Sequence, residues 1–349
     1  MMKMKRYYLV IILLGACGFN LYAQLIPNLG GQRVGISAFT FLELDVSPVS
    51  SAMGSAHISS SGDAYSTYWN PAAMVDLKKI TIGTSDRVMP AGINLSYLSV
   101  ICPTKKNGAW GFSLDGLNPG SMEKRTELQP NGTGQYFNAN SFALGVSYSK
   151  LLTEQFSFGA TTKLVREQLD YFSTTTAMID MGFLYRTDFK DLKFTVMLQS
   201  FGTNSTVKGT FNVATFNPQD VTPTAYPTPT TFRMGFSLVP YKTMRENLKI
   251  EVQLNHPSDN AENISMGAEY AYDQIFFVRA GYIFNLVQQR LPTFGFGVKS
   301  RIGKHPLNID YAAVAVNNFG LMHSIGLVLT INNAKRTDNE DSNRGNENE

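Results

Sequence analysis

Residues Asn247–Asn255 read N-L-K-I-E-V-Q-L-N. Leu248, Ile250, Val252 and Leu254 fall on one side of this stretch; Lys249, Glu251, Gln253 and Asn255 fall on the other. A period of two is the signature of a β-strand, whose successive side chains point to opposite faces, and it excludes an amphipathic helix. One face is wholly apolar and the other carries charge, so the strand separates an apolar medium from a polar one.

The same alternation runs outward along the chain in both directions. Ser141–Lys150 sets Phe142, Leu144, Val146 and Tyr148 against small and hydroxylated residues, and Lys193–Gln199 sets Phe194, Val196 and Leu198 against Lys193, Thr195, Met197 and Gln199. Comparable stretches occur near residues 79–86, 93–101, 109–116, 156–166, 177–187, 231–239, 263–272, 275–284, 293–301, 307–315 and 323–331. That makes about fourteen strands of roughly ten residues, the length that crosses a bilayer at a tilt. After the N-terminus no stretch reaches the roughly 18 apolar residues of a membrane helix. Charged residues make up 16% of the chain, against about 25% in ordinary soluble domains. Aromatic residues are 12% and mean hydropathy is -0.11, as expected when only every second side chain meets lipid. The fold class implied is all-β: a transmembrane antiparallel β-barrel of about 14 strands.

Loop lengths support this. If the first strand runs outward, the connections at the periplasmic end are short: 103–108, 151–155, 188–191, 240–246, 273–274 and 302–306. The other end holds the two longest, 117–139 and 202–230. Lys163, Asp180, Arg186, Lys193, Arg233, Lys249, Glu251, Glu269, Arg279, Lys299 and Arg301 lie opposite the aromatics and are expected to face inward. A lipid-facing Arg or Lys at mid-membrane would cost about 2–4 kcal/mol.

Residues 1–23 read as a signal peptide: Lys3, Lys5 and Arg6, an apolar core at 9–14, and Leu21-Tyr22-Ala23 before the expected cut. Leu14-Gly15-Ala16-Cys17 is a rival lipoprotein signal. Removing three basic residues takes the balance from 30 − 27 = +3 to 27 − 27 = 0, which leaves no global basic excess for nucleic acid. Cys102 is then the sole cysteine, so no intrachain disulfide can form. Residues 24–77 are rich in Ser, Ala and Gly with little alternation, which suits either a periplasmic extension or a plug (hatch) folded into the lumen. The barrel covers 78–331, and 332–349 is a polar tail expected to be disordered in the periplasm.

No catalytic, metal or cofactor site is expected. His57, His256, His305 and His323 lack metal-ligand spacing, and no phosphate loop, HExxH or GxSxG occurs. Gly295, Gly297 and Gly303 are read as small lumen-facing residues, and Asp259 with Glu262 as a loop carboxylate pair without a base. The long outer loops offer the candidate binding residues: Met122, Leu128, Tyr136 and Phe137 in one, Phe211, Phe216 and Tyr226 in the other. Exposed apolar groups on such loops suit a partner, although a loop packed on itself has the same composition.

Three segments ahead of the first strand are more specific. They are Phe39-Thr40-Phe41-Leu42-Glu43-Leu44, then Ala52-Met53-Gly54-Ser55-Ala56, then Tyr68-Trp69-Asn70-Pro71-Ala72. In this order they resemble the PorV/PorQ family of FadL-like outer-membrane proteins. Members often carry paired aspartates before the last segment, where this chain has only Asp63. The resemblance implies a 14-stranded barrel with the N-terminal segment folded inside it. Phe41, Leu42, Met53, Gly54, Tyr68, Trp69, Asn70, Pro71 and Ala72 would serve as structural plug residues. It further implies a role in the type IX secretion system: a shuttle that docks secreted cargo bearing C-terminal sorting domains and works with translocon and surface-attachment subunits. The alternative is a FadL-like transporter of a hydrophobic small molecule, which requires an apolar pocket lined by plug residues such as Phe39, Phe41 and Leu42.

Overall fold

The structure is a computed structural model and describes residues 35–105, 107–208, 225–286, 291–317 and 319–332. The signal segment 1–23, the tail beyond Asn332, and Phe211 and Phe216 lie outside the described residues.

Fourteen strands form the wall. They are β1 Thr81–Met89, β2 Ile93–Thr104, β3 Gly108–Asn118, β4 Tyr136–Leu151, β5 Phe156–Leu169, β6 Phe172–Arg186, β7 Lys193–Gly202, β8 Thr231–Lys242, β9 Glu246–Pro257, β10 Asn263–Tyr272, β11 Phe276–Phe284, β12 Thr293–Ile302, β13 His305–Val316 and β14 Gly320–Thr330. Each pairs antiparallel with its sequence neighbours, and β1 pairs with β14 from Thr81↔Thr330 to Val88↔His323, which closes the cylinder. Closure satisfies every ladder without leaving an edge, the condition for sheet in a membrane. Among the described residues no helix is long and apolar enough to cross a membrane. The stretch 247–255 lies within β9, with Ile250 paired to Leu238 on β8 and to Ala268 on β10.

Alternation is visible in exposure. Along β4, Phe142, Leu144, Val146 and Tyr148 face outward while Ala143, Ser147 and Ser149 are buried inside. Trp110, Phe183, Phe194, Phe236 and Phe296 are likewise on the outer surface. Most of the charges expected in the lumen are there, but Lys299 and Arg301 sit on the exposed rim at the short-turn end. The β-ladder breaks between Ile179 and Met181 and again between Leu238 and Tyr241. At the first bulge, Ser200 donates its N–H to the buried Asp180 Oδ1 at 2.7 Å.

The short turns share one end, periplasmic by the loop-length rule. Long loops at 119–135 and 203–230 occupy the other. Alternation of loop length is not strict, however: β1–β2 is joined by Pro90–Gly92, and β5–β6 by two residues, 170–171. The β13–β14 connection at that end is likewise only three residues, 317–319. Gly303 also departs from expectation. It lies in the β12–β13 turn at φ +60° rather than in the lumen, whereas Gly295 and Gly297 do face inward.

Residues 35–77 thread through the lumen as short helical turns: a 3-10 turn Thr40–Glu43, helices α1 Pro48–Ala52 and α2 Ser66–Trp69, and a 3-10 helix Pro71–Asp76. Ser47 caps α1, and Pro48 at its first position needs no N–H partner. Asn70 is held extended ahead of Pro71 and caps the next helix by accepting from Ala72 N–H at 3.0 Å. The Asn-Pro pair thus starts the last helical segment before β1. The core belongs to the plug. Of the twelve largest fully buried side chains, seven (Phe39, Leu42, Met53, Ile58, Tyr65, Trp69 and Met74) come from it. Each contributes about 1.5–3 kcal/mol by burial. The wall meets the plug backbone closely. A Cβ on Gly281 of β11 would lie 2.0 Å from the Met53 carbonyl carbon, and one on Gly54, itself at φ +64°, would lie 2.6 Å from Tyr282 N. Side chains at either glycine would drive the plug off the wall.

Candidate functional site

The plug divides the lumen. On the long-loop side lies a cavity of about 310 Å³, and on the short-turn side one of about 350 Å³. The barrier on the β8–β9 side is the segment His57–Ser60. Gln253 Oε1 accepts the N–H groups of His57 and Ile58 at 3.3 and 3.2 Å, and Glu251 accepts those of Ser59 and Ser60 at 2.6 and 3.1 Å. The lumen face of β9 that first defined the strand therefore holds the plug in place.

The upper cavity has plug residues for a floor, among them Glu43, Asp45 and Trp69, and the outer ends of β8 to β14 for walls. Leu44, Ile283, Val314, Val316 and Met322 supply apolar surface; Arg233, Asn255 and Asn263 supply polar groups. Glu43 is half-buried, and burial together with the neighbouring Asp259 pushes its carboxyl up to about 8, against the pull of Arg233. Arg233 lies over the Trp69 ring, 4.7 Å from its centre. Asp45 accepts from Ser47 N–H and from the Ser51 and Ser55 hydroxyls, and faces Arg87 at 3.9 Å.

Many of the other lumen charges are tied in pairs, although the buried Asp115 is in none. Lys163 meets Asp180 at 2.6 Å, Arg279 meets Glu269 and Asp310 at 2.6 Å each, and Lys249 meets Glu269 at 2.8 Å. At the periplasmic mouth Asp76 receives Arg186 and Lys193. These are braces between strands, or between wall and plug.

Phe39, Phe41 and Leu42 do not line an apolar pocket. They pack with Ala143, Val165 and Met178 in a closed cluster, and Leu42 touches only a void of about 10 Å³. All nine plug-motif residues are interior. Tyr68 donates its hydroxyl to the carbonyls of Leu42 and Leu44, which joins two of the three motifs. Asp259 and Glu262 do not form a pair: Glu262 meets His256 at 2.5 Å, while Asp259 is buried beside Glu43. Among the outer-loop candidates, Leu128 and Tyr136 are exposed at 94% and 64%, Tyr226 is exposed, and Met122 and Phe137 are half-buried partners across a small hairpin. Lys124 fastens that hairpin to the β5–β6 turn through Asp170 at 2.7 Å. These residues are not gathered into one site. The cavity residues Glu43, Arg233 and Asp259 were not singled out as a site by sequence. Arg233 carried a signal as an inward charge on an alternating strand, but nothing marked its nearness to Trp69. Among the described residues no group of three or more His, Cys, Asp or Glu is placed to hold a metal.

No family model matches the chain, and no curated protein is similar to it. Solved structures are similar in fold. The toluene transporter TodX of Pseudomonas putida superposes with a TM-score of 0.52 at 15% identity, covering 81% of this chain and 96% of its own. The toluene transporter TbuX of Ralstonia pickettii gives 0.51 at 12%, covering 81% and 96%. A FadL homologue from Pseudomonas aeruginosa gives 0.51 at 12%, again covering 81% and 96%. This chain has the FadL-like outer-membrane barrel fold. Of these, TodX and TbuX are toluene transporters.

Proposed function

We propose that this chain is an outer-membrane transporter that receives a small, largely apolar molecule in the cavity above its plug. The observation that carries the reading is the position of that cavity. It lies at the long-loop mouth, has an apolar wall on β11, β13 and β14, and is closed below by the packed plug. Its volume of about 310 Å³ is at the small end of ligand sites. The shared fold with toluene transporters supports the same reading. Delivery to the outer membrane would follow removal of the signal peptide at 1–23. The test compares initial uptake of radiolabelled toluene and related small molecules by cells with and without this barrel. Faster entry with the barrel is expected; equal rates for every compound would overturn the reading.

A second reading is favoured by a different observation. The plug fills the lumen with packed side chains, and the outer loops carry exposed Leu128 and Tyr136. A sealed barrel with such loops suits a docking platform for secreted proteins bearing C-terminal sorting domains, in the manner of the PorV/PorQ resemblance. Translocon and surface-attachment subunits would be its partners. Deleting residues 207–229 should then leave the barrel folded and abolish cargo capture. Deleting the gene should leave sorting-domain proteins in the periplasm, and an unchanged distribution would exclude this role.

A further inference from the structure

Every other buried or half-buried cation of the lumen described above has a carboxylate within 4.0 Å, but Arg233 does not. It is 7% exposed, its Nε and Nη1 have no hydrogen-bond partner, and among the described residues no carboxylate forms an ion pair with it. The indole Nε1 of Trp69, whose ring it covers, is also buried and unpartnered. Burying a guanidinium without a carboxylate partner is costly, and three unpartnered donor nitrogens at one place are rarer still. Both residues line the upper cavity.

We propose that Arg233 and Trp69 form an anion-binding subsite for the carboxylate of a compact organic acid, whose apolar body lies against Ile283, Val314 and Met322. The substrate class deepens the transporter reading and rests on it for its physiological meaning, whereas binding itself is tested separately. A planar guanidinium presents paired donors that match a carboxylate. The small volume favours a single substituted ring over a long alkyl chain. The acids nearest the subsite do not compete. Burial and the neighbouring Asp259 push the Glu43 carboxyl up to about 8, which favours its neutral form. Asp45 is satisfied by two serine hydroxyls, a backbone N–H and Arg87. Asp259 bonds Glu43, and its buried Oδ1 makes no hydrogen bond, so it forms none with Arg233.

The experiment uses the full barrel in lipid nanodiscs at pH 7, titrated calorimetrically with benzoate, benzyl alcohol and benzylammonium. Trp69 emission serves as a second readout in a Trp110→Phe background, since these are the only two tryptophans. Benzoate is expected to bind saturably, at least tenfold tighter than either other probe. Arg233→Met should weaken benzoate at least thirtyfold and benzyl alcohol less than threefold, with Arg233→Lys in between. Benzyl alcohol binding as tightly as benzoate, or benzoate binding unchanged by Arg233→Met, would overturn the subsite. If the Met variant does not fold, the ranking of the three probes on the native barrel decides. Barrel-dependent toluene uptake without benzoate preference would refute this inference and leave the transporter reading standing. Benzoate binding without barrel-dependent uptake of any compound would do the reverse.

Discussion

Replacing Glu251 should undock the centre of the plug without unfolding the barrel. Glu251 is fully buried and accepts two plug N–H groups, from Ser59 at 2.6 Å and Ser60 at 3.1 Å. Bonds to a charged acceptor each contribute about 1.5–3 kcal/mol, and a buried N–H left unpaired costs about 1–3 kcal/mol. In Glu251→Ala both N–H groups lose their partner, but water entering from the periplasmic cavity beside Ser60 recovers part of that. A net loss of about 3 kcal/mol follows, and at 1.4 kcal/mol per decade this is roughly a hundredfold in the local opening equilibrium. Amide hydrogen exchange reads that equilibrium directly. Ser59 and Ser60 should exchange roughly a hundred times faster, while Ile250 and Val252, in the ladders of β9 with its neighbours, keep their protection. Glu251→Gln retains one carbonyl acceptor and should fall between. If Ser59 and Ser60 exchange within threefold of the native rate, the plug is held by its apolar packing alone and the latch argument is wrong.

Other outcomes follow from the same contacts. Gly281→Val would put a Cβ 2.0 Å from the Met53 carbonyl carbon, so the plug should become protease-sensitive while the barrel keeps its heat-modifiable migration on gels. Arg279→Met leaves Glu269 and Asp310 facing each other without their shared cation; about 3–5 kcal/mol of stability should be lost, measured by urea unfolding. Lys249→Met, at a more exposed position, should cost clearly less in the same assay. Glu43 adds a pH dependence. Its folded value of about 8 lies above its ordinary 4.5, so the folded state binds the extra proton between those values. Plug docking should therefore weaken as pH rises from about 4.5 to 8 and level off beyond. Glu43→Gln, still facing Asp259 and Arg233, should flatten that profile in exchange measured at pH 6 and pH 9.

Strand by strand, the wall was legible because lipid on one side and a polar lumen on the other leave a period-two record in every crossing. Asn247–Asn255 sits inside β9 as read, and the inward charges at Lys163, Arg233 and Arg279 are where alternation puts them. Lys299 and Arg301 share that phase yet are exposed, because alternation fixes a face and not a depth along the barrel axis. Loop length was a weaker guide for a related reason. A two-residue connection such as 170–171 is sterically allowed at either end of an antiparallel pair, so only the long loops carry information about sidedness.

The plug was legible as buried structure and not as a site. Motif residues such as Trp69 and Met53 declare themselves by type, but their partners come from strands more than a hundred residues away, and no local pattern encodes that register. Phe39, Phe41 and Leu42 illustrate the consequence. By composition they suit a ligand pocket; in the fold, Val165 and Met178 fill the space beside them, so the apolar surface open to a ligand comes from β11, β13 and β14 instead. Polar groups leave a clearer trace once the fold is known, because each buried donor must have a partner. Asp310 and Glu269 account for Arg279, Asp180 accounts for Lys163, and Glu251 and Gln253 account for the plug backbone. Among the buried groups that the same accounting leaves without a hydrogen-bond partner, Arg233 and the Trp69 indole both line the outer cavity, where the proposed carboxylate would be their acceptor.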